Sequence, residues 1–417
     1  MPVARRLLAG LQAYTLADSQ PPPPSTPTHV AFATQGAAGT LPATFPVQQL
    51  ALQVRPHYRL YTSALHSALL CLLALPLAET TGAHTTVLPL LALLTAGHAV
   101  RGLLVSLADG RVTTPREQKV SIAAGVCGCA LALVVELGGL LGGGPDPLRL
   151  RAAGLALAPT LAHLRSTNTY DGAAEGWRTT QGGNAAFVAL AIPLALLSGL
   201  SAGVVFLPAT RWAKAYWLAT CPPPGVAALT TPPAAHTSLL RLSFVLTAAC
   251  AALPYFAAQA FSSSSLIAHA AASDGALLPL ALIAAATSHL LTCRGAAQSS
   301  LDGALVAWYQ LRHVTGVDAS LAVQVMTAKF GKASSNLCHA AMLHTGPAQL
   351  LLAAGTVMLA KRPGVTMDAA RGGGHSVFAP EVYVAAAGFL GAWTALVWTA
   401  TAFVQLFALR QGLARVG

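Results

Sequence analysis

One glutamate lies where the chain is otherwise apolar, and its setting is the clearest candidate for chemistry. Glu136 follows the run Leu131-Ala-Leu-Val-Val135 inside a long hydrophobic segment. An ionisable side chain at membrane depth costs free energy unless it is paired, and such residues often mark the path of a proton or an ion. A coupling carboxylate of a transporter would have this setting. So would a glutamate that reaches the interface, since the glycine-rich stretch 138–144 follows it.

Six histidines also fall in or near apolar segments. Proton relays use intramembrane histidines because their charge changes near neutral pH. No two of the six have the i, i+4 spacing that places both side chains on one helix face. The pattern therefore favours polar contacts between helices over a relay. The six are His66, His98, His269, His289, His339 and His344.

The chain carries no common sequence pattern of a nucleotide site or a metal site. It has no Walker-type glycine loop and no H-E-x-x-H. Its seven cysteines form neither a disulfide framework nor a zinc spacing. We therefore predict a non-enzymatic protein with no catalytic residues, no metal and no cofactor. The net charge of +11 would suggest nucleic acid in a soluble chain, but these basic residues lie at the ends of apolar segments. The predicted partner is the lipid bilayer, and no nucleic acid is expected.

Eight apolar segments must position Glu136 and the histidines. Charged residues make up 9% of the 417 residues, against about 25% in soluble domains. The clearest segment, 185–207, has no ionisable side chain, and at about 1.5 Å per residue it is long enough to cross a bilayer. The sequence predicts an all-α, polytopic helical membrane protein with spans at 61–78, 86–107, 120–142, 185–207, 242–261, 275–293, 336–360 and 382–408.

Three shorter segments are expected to lie on the membrane surface or to extend a span. Residues 152–164 are too short to cross and are flanked by arginines, which is typical of an interfacial helix. Residues 211–217 hold an arginine, a lysine and three aromatic residues, which suits a short helix at the headgroup level. Residues 296–313 keep a helical apolar spacing after the sixth span.

The chain is predicted to divide into an arm and a membrane domain. Residues 1–47 are expected to form a disordered, basic and proline-rich arm ahead of the helical transmembrane domain 48–417. Residues 1–17 are basic and contain no acid, which fits either an organelle targeting peptide or a basic tail. With eight spans, the side that holds both termini carries 17 of the 24 lysines and arginines. Both termini are therefore predicted to be cytosolic.

Three patterns at span ends occur in a fixed order along the chain. Pro208-Ala-Thr-Arg211-Trp-Ala213 closes the fourth span, and Arg294-Gly-Ala-Ala-Gln298-Ser-Ser-Leu301-Asp302 leaves the sixth. Leu337-Cys338-His-Ala-Ala341 opens the seventh and is followed by Pro347. In order and spacing, these patterns resemble those of the transmembrane protein 161 family. The loop 361–381 departs from the family because it is much shorter and rich in glycine.

The resemblance implies a polytopic membrane protein with no assigned enzymatic activity. Animal members of that family are associated with restraining cation currents and with stress protection. We therefore expect a regulatory or scaffolding protein whose partners are membrane proteins such as ion channels. Arg211, Arg294 and Gln298 would be its polar anchors, although snorkelling and helix capping explain the same residues. The alternative is a secondary transporter or channel in which Glu136 and an intramembrane histidine such as His289 line a polar path.

Overall fold

The computed structural model of the protein describes residues 2–16, 42–81, 87–110, 112–141, 150, 152–158, 180–222, 234–260, 276–312, 319–361 and 379–414. Within these ranges, eight helices are long and apolar enough to cross a membrane. The predicted all-α polytopic fold is confirmed. The elements are α1 (Pro2–Leu8), β1 (Gln12–Leu16), β2 (Pro42–Pro46), α2 (Gln49–Gln53), α3 (Tyr58–Thr81), α4 (Val87–Ala108), α5 (Pro115–Leu141), α6 (152–158), α7 (Thr180–Thr220), α8 (Ala234–Ala260), α9 (Leu277–Arg312), α10 (Ala319–Ser335), α11 (Leu337–Ala360) and α12 (Pro380–Arg410).

The candidate spans α3, α4, α5, α7, α8, α9, α11 and α12 alternate in direction, which brings polar residues from distant loops together. His57 Nε2, just before α3, lies 2.9 Å from Asp109 Oδ2, just after α4. Arg211 Nη2, late in α7, lies 3.3 Å from Glu117 Oε1 in the first turn of α5. The His57 ring is also 5.3 Å from the ring of His339 at the start of α11. We name this the basic end: the end of the bundle at which α3, α5 and α11 begin and α4 and α7 end.

The first and the last described segments, α1 and the end of α12, both lie at the basic end. Arg294 Nη1, in the second half of α9, donates a 3.4 Å hydrogen bond to the carbonyl of Arg6 in α1. Helix α12 runs parallel to α7, because Trp393 donates to the carbonyl of Ser198 at 3.1 Å and Trp398 packs farther along on Trp212. Its C-terminus therefore reaches the same end as the C-terminus of α7. An even number of spans requires this arrangement.

Helix α6 does not cross the bundle. Gly154 packs against Phe187, which lies two turns into α7. Helix α5 ends and α7 begins on the side of the bundle opposite the basic end. Because α6 connects these two helices, it stays on that side. The prediction that 152–164 is too short to cross holds for 152–158, and residues 159–164 lie outside the described residues.

The N-terminal segment differs from the predicted disordered arm of residues 1–47. Helix α1 and an antiparallel pair of strands form there, with Gln12 opposite Pro46 and Leu16 opposite Pro42. Leu8, Leu11 and Tyr14 are buried in one cluster with residues of α9 and α10. The prediction of disorder is wrong for 2–16 and 42–46, because a few apolar side chains are enough to fold this segment once the helices offer a surface that buries them. Residues 17–41 lie outside the described residues.

Helix α7 continues through the segment predicted as a separate interfacial helix. Residues 211–217 extend the span to Thr220, although Pro208 removes one backbone donor. Trp212 is 2% exposed and packs inside the bundle. It stacks on Tyr216 and Phe244 and meets Trp398 at 4.7 Å. This aromatic cluster buries enough surface to hold the last turns of α7 against the bundle.

Two features hold the helices at close range. Helix α11 is the central span: 78% of its apolar window is buried, against 17% for α5. Helices α5 and α7 meet through glycines, since a Cβ added at Gly199 would lie 2.8 Å from the carbonyl oxygen of Gly125. The G-x-x-x-G of Gly199 and Gly203 therefore packs α7 inside this bundle, as small residues do between membrane helices.

Candidate functional site

A polar cavity of about 380 Å³ opens at the basic end of the bundle. Four helices, α7, α9, α10 and α11, supply most of its wall, and the loop between α4 and α5 supplies the rest. Its polar lining residues are Thr114, Glu117, Arg211, Lys214, Ser299, Ser300, Lys329, Lys332, Asn336, His339 and His344.

Small side chains leave the room for this cavity. The wall of α9 consists of Ala296, Ser299, Ser300, Gly303, Ala304 and Ala307. A Cβ added at Gly303 would meet nothing within 4 Å, which means that open space adjoins this position. The small residues of α9 therefore contribute to the room in the cavity.

The cavity carries an excess of positive charge. Arg211 and Lys214 are three residues apart on α7, and Lys329 and Lys332 have the same spacing on α10. Residues with this spacing share a helix face. Among the described lining residues, Glu117 supplies the carboxylate. It is already held by Arg211 at 3.3 Å and by Thr114, whose backbone N–H donates to Glu117 Oε2 at 2.9 Å.

The Thr114 and Glu117 contacts form a capping box that begins α5. The backbone N–H of Glu117 donates to Thr114 Oγ1 at 3.2 Å, and the side chain of Glu117 returns to Thr114. Arg211 also donates to the carbonyl of Val112 at 3.4 Å. Arg211 therefore fixes the loop between α4 and α5 from the end of α7, which is the role of a polar anchor.

Two histidines lie deep in the same cavity. His339 is 0% exposed, and neither ring nitrogen has a hydrogen-bond partner within the described part of the chain. His344, one turn further along α11, is also buried and lines the cavity. His289 lies beyond them, where its Nε2 is 2.8 Å from Thr247 Oγ1 and its ring meets Trp398 at 4.6 Å. Buried polar groups are usually paired, so the unpaired ring of His339 is unusual.

Gln298 and Asp302 hold the N-terminal strand pair on α9. The backbone N–H of Gln12 donates to Gln298 Oε1 at 2.9 Å, and Gln298 Nε2 donates back to the Gln12 carbonyl at 3.1 Å. The hydroxyl of Tyr14 donates to Asp302 Oδ1 at 2.9 Å. Burial, together with the Asp302 carboxyl, raises the pKa of Tyr14 above its ordinary value. We name these four residues the strand clamp.

The remaining motif residues pack nearby. Leu301 and Cys338 belong to one buried cluster with Tyr14, while Ala213 packs in the cluster of Trp212. Pro208 lies inside α7 and Pro347 inside α11, both buried. The first span-end pattern is more than 80 residues from the other two in the sequence, and all three are brought to one end of the bundle.

Glu136 lies apart from the cavity and from the histidines. It is 3% exposed, and neither carboxylate oxygen has a partner among the residues that the structure covers. It follows Ala132 by one turn on α5, and Ala132 packs with Leu194 and Trp393. Glu136 is therefore one turn from the cluster of Ala132, whereas His289 contacts Thr247 and Trp398. The predicted polar path through both residues stays a prediction.

Sequence reasoning missed the lysines of the cavity. Lys214 falls in the short helix predicted at 211–217, and Lys329 and Lys332 contribute only to the charge between two predicted spans, although all three lie within helices. The signal that could have found them is the repeated i, i+3 spacing of two cations on α7 and on α10. Tyr14 and Asp302 carried no such signal, because they are 288 residues apart.

No group of three metal-ligating side chains is found within the described ranges. No known protein-family model, curated protein or solved structure matches the chain.

Proposed function

We propose that this chain is a non-enzymatic, multi-pass membrane protein that regulates or scaffolds other membrane proteins. Modulation of cation currents is the activity that the family resemblance implies. In this proposal both termini face the cytosol, and the basic end is the surface that partners contact.

The observation that carries the proposal is the strand clamp. A folded strand pair is attached to the second half of α9 by Gln298, which bonds both backbone polar groups of Gln12. Sequence motifs of three spans converge on this end, and the position is suited to presenting a surface outside the membrane. The exposed apolar side chains of the spans are consistent with surrounding lipid.

A clamp variant tests the proposal. Gln298→Ala removes two hydrogen bonds to Gln12 and should weaken the attachment of the strand pair by about 1 to 3 kcal/mol. The matched control is Gln310→Ala, because Gln310 is exposed on the same helix. Full-length proteins would be purified in gentle detergent, their membrane partners quantified by mass spectrometry, and whole-cell cation currents recorded.

The expected result is that wild type and the control recover the same membrane partners and change cation currents equally. Gln298→Ala should lose both effects while its membrane insertion is unchanged. Recovery of no membrane protein above background, together with unaltered currents, would contradict the proposal.

A transporter or channel is the second candidate function. It is favoured by Glu136, whose buried carboxylate has no partner in the covered residues, since intramembrane carboxylates commonly serve transport. Glu136→Gln should abolish flux in reconstituted vesicles. Glu381→Gln is the control, because Glu381 is an exposed glutamate at the start of α12. Equal flux in both variants would remove Glu136 from any mechanism.

A further inference from the structure

We propose that the cavity at the basic end is a binding site for a phosphate-bearing anion, supplied either by a lipid headgroup or by a soluble phosphate ester. The proposal does not depend on the regulatory role above, because it rests on the geometry of the cavity alone.

The first argument is the charge of the wall. Four cationic side chains, Arg211, Lys214, Lys329 and Lys332, face one space together with the carboxylate of Glu117. Glu117 is occupied by Arg211 and by its own capping box. The two lysines of α10 and Lys214 therefore remain as donors for an added anion. Lysine is a common phosphate ligand in proteins because its ammonium group offers three donors.

The second argument is an unsatisfied polar group inside the cavity. His339 lines it, is fully buried, and has no hydrogen-bond partner for either ring nitrogen within the described residues. A buried polar group without a partner is costly, so a native protein normally supplies one. An oxygen of a bound phosphate group, or of a water held by it, would supply the missing partner.

The third argument is the start of α11, which forms part of the same wall. Asn336 is at the N-cap and its side chain makes no capping hydrogen bond. Asn336, His339 and Ala340 all line the cavity. The first turn of a helix presents backbone N–H groups and the positive end of its dipole, which favour anions.

Size and depth restrict the ligand. A cavity of about 380 Å³ lies in the range of about 300 to 1,000 Å³ that is usual for small-molecule sites, so it has room for a phosphorylated headgroup. Arg211 follows the last residue of the apolar run, Leu207, by four positions, or about 6 Å along a helix. This depth corresponds to the headgroup layer, where both a lipid phosphate and a soluble ester have access.

Two experimental arms distinguish the sources. In the lipid arm, the full chain is placed in phosphatidylcholine nanodiscs with or without phosphatidylinositol bisphosphate, and bound lipid is counted by native mass spectrometry. In the soluble arm, the chain in phosphatidylcholine nanodiscs is titrated with inositol trisphosphate and with inorganic phosphate by calorimetry.

Three variants test the site itself. Lys329→Gln with Lys332→Gln removes two cavity charges and should weaken binding about tenfold or more. Arg116→Gln with Lys119→Gln removes two charges of the same spacing and the same exposed class at the basic end. These two residues do not line the cavity, so affinity should stay within about twofold, because charges farther from the ligand are screened more strongly by salt. Gly303→Leu changes no charge but fills open space at the cavity wall, and it should also weaken binding about tenfold or more.

The site is supported if binding is saturable in either arm, is lost in the Lys329/Lys332 and Gly303 variants, and is retained in the Arg116/Lys119 control. The arm in which binding occurs identifies the source of the phosphate. Absence of saturable binding in both arms overturns the proposal. Equal weakening by the two charge-removing pairs, with no effect of Gly303→Leu, also overturns it, since that result describes general surface attraction. Circular dichroism of each variant verifies that the helical fold is retained.

Discussion

Gly199→Ala should separate α5 from α7 and destabilise the bundle. The added Cβ would lie 2.7 Å from the Cβ of Cys129, 2.8 Å from the carbonyl oxygen of Gly125 and 3.2 Å from the Cα of Cys129. Ordinary van der Waals contact begins at 3.4 Å, so the two helices must move apart by about 0.6 to 0.7 Å. Two of the three atoms belong to the backbone and cannot rotate away.

The expected cost of Gly199→Ala is near the upper end of the range for overpacking, about 2 to 3 kcal/mol. The higher helix propensity of alanine offsets this cost by up to about 1 kcal/mol. The control is Gly97→Ala, since a Cβ at Gly97 would meet nothing within 4 Å. That variant should leave stability unchanged or raise it slightly.

The measurement is the free energy of unfolding in bicelles or detergent by steric trapping. Cys129→Gly should restore part of the loss in Gly199→Ala, because it removes the nearest clashing atom but leaves Gly125 in place. Such a coupling is expected only for residues in contact. If Gly199→Ala is as neutral as Gly97→Ala, or if Cys129→Gly restores nothing, the close approach of α5 and α7 is refuted.

Three further outcomes are expected. Trp398→Ala should lower the free energy of unfolding by about 3 to 5 kcal/mol because it opens the aromatic cluster. Phe403→Ala, at a residue 62% exposed on the same helix, should lower it much less. Equal effects of the two variants would refute the inward orientation of Trp398. The raised pKa of Tyr14 means that its neutral form stabilises the strand clamp, so protection of the N-terminus from proteolysis should fall as the pH rises above about 10. Tyr14→Phe removes the bond to Asp302 and should abolish that pH step, and an unchanged step would assign it to another group. Cys221 is exposed at the end of α7. If the basic end is cytosolic, Cys221 should react with a membrane-impermeant maleimide only after the cells are permeabilised. Labelling of Cys221 in intact cells would contradict the predicted orientation.

The spans were predictable because each carries about twenty consecutive apolar residues, which is a local signal. The ends of the spans were less predictable. Helix α9 continues to Arg312, which agrees with one of the two alternatives predicted for residues 296–313, and its polar half is held by β1 and α10. Helix α7 continues past Pro208 because Trp212 finds an aromatic pocket made by α8 and α12. Packing between distant elements decided both boundaries.

The site was predictable in its residue types and unpredictable in its assembly. Arg211 and Gln298 were recognised as polar anchors at span ends, and both make anchoring hydrogen bonds here. Their partners, Val112 and Gln12, are 99 and 286 residues away in the chain. No periodicity in a single sequence encodes such pairings. The cavity lysines were visible as pairs on helices, but only the tertiary arrangement of α7 and α10 turns them toward one space.

The burial of α11 has a consequence for how the protein is made. This helix is the seventh candidate span, and with a mean hydropathy of 1.2 it is the least hydrophobic of the eight. A nascent segment that carries two histidines and a glutamine partitions poorly into lipid when it leaves the translocon alone. It needs the groove that the spans translated before it provide, and α12 then covers its remaining side. Insertion of α11 is therefore expected to depend on the spans that are synthesised before it.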